Sequence, residues 1–169
     1  MARSMRLLVI LAIASVYSFA EGGSNEYNIK AMFILNFMKY VEWPAETYNN
    51  EFTIGVVGES EIFDALVKMA GNRKESKKIN VEKVNADSLG NYQIVIIPKS
   101  ENKKLEEWVR KFQYKGVLII SDECKNAGAA INLLNINNKI RFEINNTQAR
   151  LGGIKISSRL AELAVKVHP

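Results

Sequence analysis

Gln93-Ile94-Val95-Ile96-Ile97-Pro98 is the stretch on which the fold turns. Four successive branched apolar residues leave a strand no polar face, so both of its sides must be covered. That is the habit of a central strand in a layered α/β domain. Pro98, with no N–H to give to a ladder, closes it.

The neighbouring segments repeat the theme on either side. Upstream, Phe52 to Val57 reads as a strand closed by Gly58, and Ser60 caps a helix whose apolar face is Ile62, Phe63, Leu66 and Met69 or Ala70. Ile79 to Val84 alternates as a half-exposed strand. Downstream, Asn102 to Phe112 is a helix with Leu105, Trp108, Val109 and Phe112 at i, i+3, i+4 and i+7, and Val117 to Ser121 is a second buried strand. Ala130–Ile136 and Lys139–Ile144 form a hairpin through Asn137-Asn138, whose side chains tolerate positive φ. Asn145 begins a short helix stopped by Gly152-Gly153. Ile154–Ile156 is a short strand, and Ser157 caps a last helix packing through Leu160, Leu163, Ala164 and Val167. Strands alternating with helices and then a hairpin predict a single-domain α/β sandwich with a mixed central sheet flanked by helices.

The N-terminus reads as an address. Arg3 and Arg6 precede an apolar run, Leu7 to Phe19, and Ser18-Phe19-Ala20 ends it with small residues, the layout of a secretory signal peptide cleaved after Ala20. Thirteen residues fall short of the roughly 20 that span a bilayer. Removing 20 of 169 residues leaves a domain of 149, and losing two arginines lowers the formal charge from +5 to +3. So small an excess, on an exported chain, argues against nucleic acid as a partner. The segments divide as 1–20 leader and 21–169 domain.

Composition narrows the chemistry. With 47% hydrophobic and 24% charged residues and a mean hydropathy of −0.09, the chain is an ordinary globular one. One His and one Cys cannot build a Ser/His/Asp triad, a Cys/His pair or a zinc cluster of His and Cys. No cofactor is expected and no catalytic residue is assigned. Carboxylates such as Asp87, Asp122, Glu123 and Glu143 leave an enzyme as the weakest of the readings. Cys124 follows Asp122 and Glu123, which discourage its thiolate, and no intrachain disulfide can form. Gly55 and Gly58 read as turn glycines, since neither dinucleotide nor Walker spacing is present. Asn145-Asn146-Thr147 matches a glycosylation acceptor, with helix capping the preferred role of Asn145. Arg73, Lys74, Lys77 and Lys78 read as a solvated loop or a contact with an anionic partner or lipid surface.

The first helix, from Ser24 or Asn25 to about Glu42 and ended by Trp43-Pro44, departs from a simple amphipathic pattern. Phe33, Ile34, Phe37, Tyr40 and Val41 share a face, yet Met32 and Leu35 fall in the polar sector and Lys30 in the apolar one. Either neighbouring elements wrap nearly the whole helix, or Met32 and Leu35 belong to a protein–protein contact. Lys30 either reaches past the core edge or requires a carboxylate partner, because an unpaired buried ammonium is costly.

Lys30 to Pro44, ending in Glu42-Trp43-Pro44, resembles the signature helix of the YfiR-like family. Gly128-Ala-Ala-Ile-Asn132, Ile140-Arg141-Phe142-Glu143-Ile144-Asn145 and Gly152 to Ala164 resemble its glycine turn, hairpin and closing segment. The resemblance implies a non-enzymatic periplasmic domain, often a homodimer. The family's named member holds a membrane-bound diguanylate cyclase inactive through its sensory domain and can be drawn away by an outer-membrane lipoprotein. Many relatives occur beside sensor kinases, so the implied partner is a membrane signalling receptor, cyclase or histidine kinase. That member's paired cysteines are absent here. A regulatory module is thus the leading expectation, with a periplasmic small-molecule sensor as the alternative. Candidate partner- or ligand-binding residues are Met32, Leu35, Asn36, Lys39 and Trp43 from the first helix, with Arg141, Glu143 and Asn145 from the hairpin. Arg141 and Glu143 share one strand face and either line a cleft with Asn36 and Trp43 or form a structural ion pair.

Overall fold

A computed structural model describes residues 25–44, 51–73, 78–84, 90–125 and 128–169. The leader read at 1–20 lies outside them, as do Lys74, Lys77 and Asp87. The apolar stretch at its centre is strand β4 (Ile94–Ile97), every residue of it buried. On one side lies β2 (Glu51–Val57), with β3 (Lys78–Val84) beyond it; on the other lie β5 (Leu118–Asp122), β6 (Ile131–Ile136), β7 (Lys139–Asn145) and β9 (Lys166–His168), in the order β3-β2-β4-β5-β6-β7-β9. The first five run parallel; β6 and β7 form the antiparallel hairpin, and β9 returns parallel to β7. The mixed sheet is as expected, and the α/β class holds.

The chain leaves β2 in one direction to reach β3 and then crosses back to β4, so the order reverses between β2 and β4. A doubly wound sheet opens a crevice at such a switch point, beyond the carboxyl ends of the strands.

Alternation along each strand builds two cores. Ile54, Val56, Ile94, Ile96, Leu118, Ile120, Ile131 and Leu133 face one way, under helix α1 (residues 25–37) and α2 (Glu61–Gly71). Val95, Ile97 and Ile119 face the other way, under α3 (Leu105–Phe112). Short helices α4 (Asn146–Leu151) and α5 (Ser158–Ala161) pack on the first face through Ala149 and Leu160. Asn137 and Asn138 take φ of 51° and 61°, as the hairpin reading required.

Four expectations are corrected. The first helix stops at residue 37, five short of Glu42: the amides of Lys39 and Tyr40 bond three residues back, to Asn36 and Phe37. The chain then extends as β1 (Val41–Glu42), antiparallel to β8 (Lys155–Ile156). The helix at 102 begins as a 3₁₀ segment, Lys99–Lys104. The last helix is a single turn: the amide of Val165 bonds the Phe142 carbonyl and starts β9, so Leu163 and Val167 stand 64% and 41% exposed. Finally, Gly55 is no turn residue. It lies inside β2, where an added Cβ would sit 2.5 Å from Val84 Cγ2 and 2.9 Å from Tyr92 Cδ1.

Candidate functional site

Lys30 is buried to 1% exposure on α1. The helix runs against the strands, which brings its first turns over the carboxyl end of β5. There the ammonium meets Asp122 at 2.7 Å and Glu123 at 3.2 Å, and it pairs with Glu26 one turn earlier on its own helix. Its Nζ also lies 5.2 Å from the centre of the Tyr27 ring. Of the two readings of Lys30, the carboxylate partner is the correct one. Sequence inspection could not name that partner, because Asp122 lies 92 positions away and becomes a neighbour only through the sheet.

Glu123 follows the strand with φ of 50°, a left-handed conformation that is unfavourable for a side-chain-bearing residue. The turn sets its carboxylate between Lys30 and Lys99, the latter at 2.7 Å. Asn135 on β6 holds Glu26 from the far side, donating at 2.8 Å. Two cations and three carboxylates therefore form one linked cluster.

Its electrostatics follow from burial and pairing. Desolvation pulls the Lys30 pKa down, but bonds to Asp122 and Glu26 more than offset this and hold it above the ordinary lysine value of 10.5. Burial pushes the Asp122 carboxyl up against the opposing pull of Lys30. Glu123 is held below its usual range by the bond from Lys99, and Lys99 is raised by the same bond. Burial raises the Tyr27 phenol. Tyr27, Lys99 and Asp122 also border a crevice of about 410 Å³ beyond the ends of β2 and β4.

The residues singled out from sequence fall into three groups. Met32 is 46% exposed, Asn36 half-buried and Lys39 exposed, along one ridge of α1 and the turn after it. Leu35 is buried at 2%, so the two apolar residues of the polar sector part company: one is core and the other surface. Trp43 is also buried; its Nε1 donates to the Gln93 carbonyl at 3.0 Å and its ring meets Phe52 edge-on. Arg73 is not merely a solvated loop residue, for it donates to the Leu35 carbonyl at 3.2 Å and to Asn36 Oδ1 at 3.4 Å, closing the end of α1.

Arg141 and Glu143 do not share a cleft with Asn36 and Trp43. Phe142 between them packs under α1 against Phe33 and Phe37, at centroid distances of 6.0 and 5.1 Å. Its two neighbours therefore point to the opposite face of the sheet. The alternative ion pair is absent as well: Glu143 lies 3.5 Å from His168 Nε2, and Arg141 is exposed. Asn145 caps α4, accepting from the Gln148 amide at 3.0 Å.

Among the described residues no cluster of His, Cys, Asp and Glu is arranged to hold a metal ion, and no helix is long and apolar enough to cross a membrane. The model of the YfiR/HmsC-like family matches residues 27–165. The chain belongs to that family. The match takes in α1 from Tyr27 onward with its ridge, the Lys30 cluster apart from Glu26, the hairpin and the closing segment, so the resemblance read from separate motifs holds over nearly the whole domain. The family is a periplasmic, regulatory and non-catalytic one, tied to the control of diguanylate cyclases. No curated protein matches the chain.

Proposed function

We propose that this chain is an exported periplasmic regulator that binds the sensory domain of a membrane signalling receptor, a diguanylate cyclase or sensor kinase, and modulates its output. Family membership over residues 27–165 is the observation that carries this reading. The leader read at 1–20, cleaved after Ala20, supplies the export step. The ridge Met32, Asn36 and Lys39 is the contact surface of choice: it sets an exposed thioether beside an amide and, past the helix end, an ammonium, on a helix otherwise committed to the core. Leu35 and Trp43 act beneath it by holding the helix in place, and Arg141 offers a second exposed contact on the far face.

The test is capture from envelope extract at near-physiological salt, followed by identification of the bound membrane proteins. A receptor with a periplasmic sensory domain is expected, and its yield should fall with Met32→Glu while the thermal midpoint stays put. Recovery of no membrane receptor would sink the proposal. A misfolded Met32→Glu protein would remove the ridge from it.

A further inference from the structure

We infer that the end of the domain at which the parallel strands begin is a docking face for an anionic lipid membrane. Helix chemistry and topology together produce it. A cation in the last turn of a helix complements the negative end of its dipole, and α2, α3 and α4 all carry one there: Lys68, Arg110 with Lys111, and Arg150. α2 and α3 each link parallel neighbours, so both run against the strands, as α1 does. Their carboxyl ends therefore gather at the amino ends of the strands. There Trp43, after α1, donates to the Gln93 carbonyl, and the Tyr114 amide, after α3, donates to the Leu151 carbonyl of α4. Lys39 and Arg159 border a hollow at the same end.

Charge decides what the face can meet. Lys39, Lys68, Lys115, Arg150 and Arg159 are exposed, with no carboxylate in ion-pair distance among the described residues. Of the carboxylates around them, Glu42 is matched by Lys155, Glu51 by Lys78 and Glu106 by Arg110, while Glu107 and Glu162 are unmatched. The face is thus basic. The opposite end, with Glu59, Glu61, Asp64 and Asp122 around the crevice, is acidic, so an anionic surface orients the molecule with its strand beginnings inward.

Two features favour lipid over an acidic protein. Apart from Lys39 and Arg159, the cations do not converge: they are spread from the end of α2 to the end of α3 on long, flexible side chains, which suits a fluid layer of headgroups. Tyr114 stands beside Lys115 with 73% of its surface exposed and φ of 63°, a left-handed conformation that is costly for a bulky residue. A phenol held outward next to ammonium groups is a side chain that settles at headgroup depth. Docking of this kind concentrates the domain in the plane of a membrane receptor without depending on one.

Flotation of the mature chain, residues 21–169, with vesicles of about 30% phosphatidylglycerol in phosphatidylcholine, against phosphatidylcholine alone, tests the face with no receptor present. We expect binding to the anionic vesicles only, falling about tenfold or more between about 50 and 200 mM salt. Lys68→Gln/Lys115→Gln/Arg159→Gln should weaken it about tenfold or more. Lys103→Gln/Lys125→Gln/Lys139→Gln removes equal charge away from this face and should leave binding within about twofold. All six positions are exposed, so both variants should keep the thermal midpoint. Tyr114→Gly should weaken binding about threefold or more without lowering the midpoint, because glycine takes the positive φ freely. No binding to the anionic vesicles at low salt overturns the inference, as does a loss no larger in the first triple variant than in the second. Receptor capture that falls with the first triple variant, while vesicles go unbound, assigns the face to an acidic protein instead. Failure on vesicles leaves the receptor proposal standing.

Discussion

A single side chain, Lys30, shows how placement outweighs composition. An ammonium at 1% exposure is tolerable only with counter-charges on several sides, and here they come from α1 itself, from the end of β5 and from the turn after it. Lys30→Met should cost about 3–5 kcal/mol, because it leaves the Asp122 carboxylate buried without its partner. Lys30→Met/Asp122→Leu should recover a large part of that in urea unfolding, since an apolar pair needs no compensation. The pH dependence has a definite sign. Lys30 and Lys99 are both raised in the folded state, so their contribution is fully present below the ordinary value of 10.5 and is lost as pH rises through the folded values. Stability against urea should therefore fall on the alkaline side, and less steeply in Lys30→Met. Sequence alone set out the two options for Lys30. It could not choose between them, because its partners at 122 and 123 are brought close only by the sheet.

At the scale of elements, what was legible were segments long enough to show a period. The buried strands around 94 and 118, the capped helix after Ser60 and the Asn137-Asn138 hairpin were all visible from alternation, caps and turn chemistry. The two- and three-residue strands β1 and β9 were not, since so few residues carry no period, and β8 was read at Ile154–Ile156 without its partner, which is set by a distant segment. The overlong first helix has the same cause: Tyr40 and Val41 fit its apolar face, while the competing bonds from Ser157 and Ile156 come from more than a hundred residues away. Of the candidate residues, the α1 ridge could be read from the helical wheel. Arg141 and Glu143 were assigned correctly to one strand face, but which face looks toward α1 depends on Phe142. Capping gives an element-level prediction. Asn145→Ala should cost about 1 kcal/mol by removing the bond to the Gln148 amide, measurable as a lower urea midpoint with unchanged slope.

The whole molecule is a seven-stranded sheet whose stability is greatest in the middle. β4 and β5 are buried on both faces, whereas β8 and β9 are short and have no buried residue. Native-state hydrogen exchange should give the slowest amides at Ile94–Ile97 and Leu118–Ile120, and the fastest strand amides in β9 and β8. Gly55→Ala probes the packing between β2 and its neighbours: the new methyl group cannot fit without moving Val84 or Tyr92, and a loss of about 1–3 kcal/mol is expected in thermal or urea unfolding.

Cys124, two residues beyond β5, sits in a setting that hides it. The residue is 8% exposed, and its backbone is clasped by Asn132, which accepts from the Cys124 amide at 3.0 Å and donates to its carbonyl at 2.8 Å. As the lone thiol of the chain, it gives every molecule one internal clock. An alkylating reagent can reach it only when the loop after β5 lets go, so labelling should be a single slow phase. At saturating reagent that phase reports the opening rate itself, without a dye, a tag or an engineered residue.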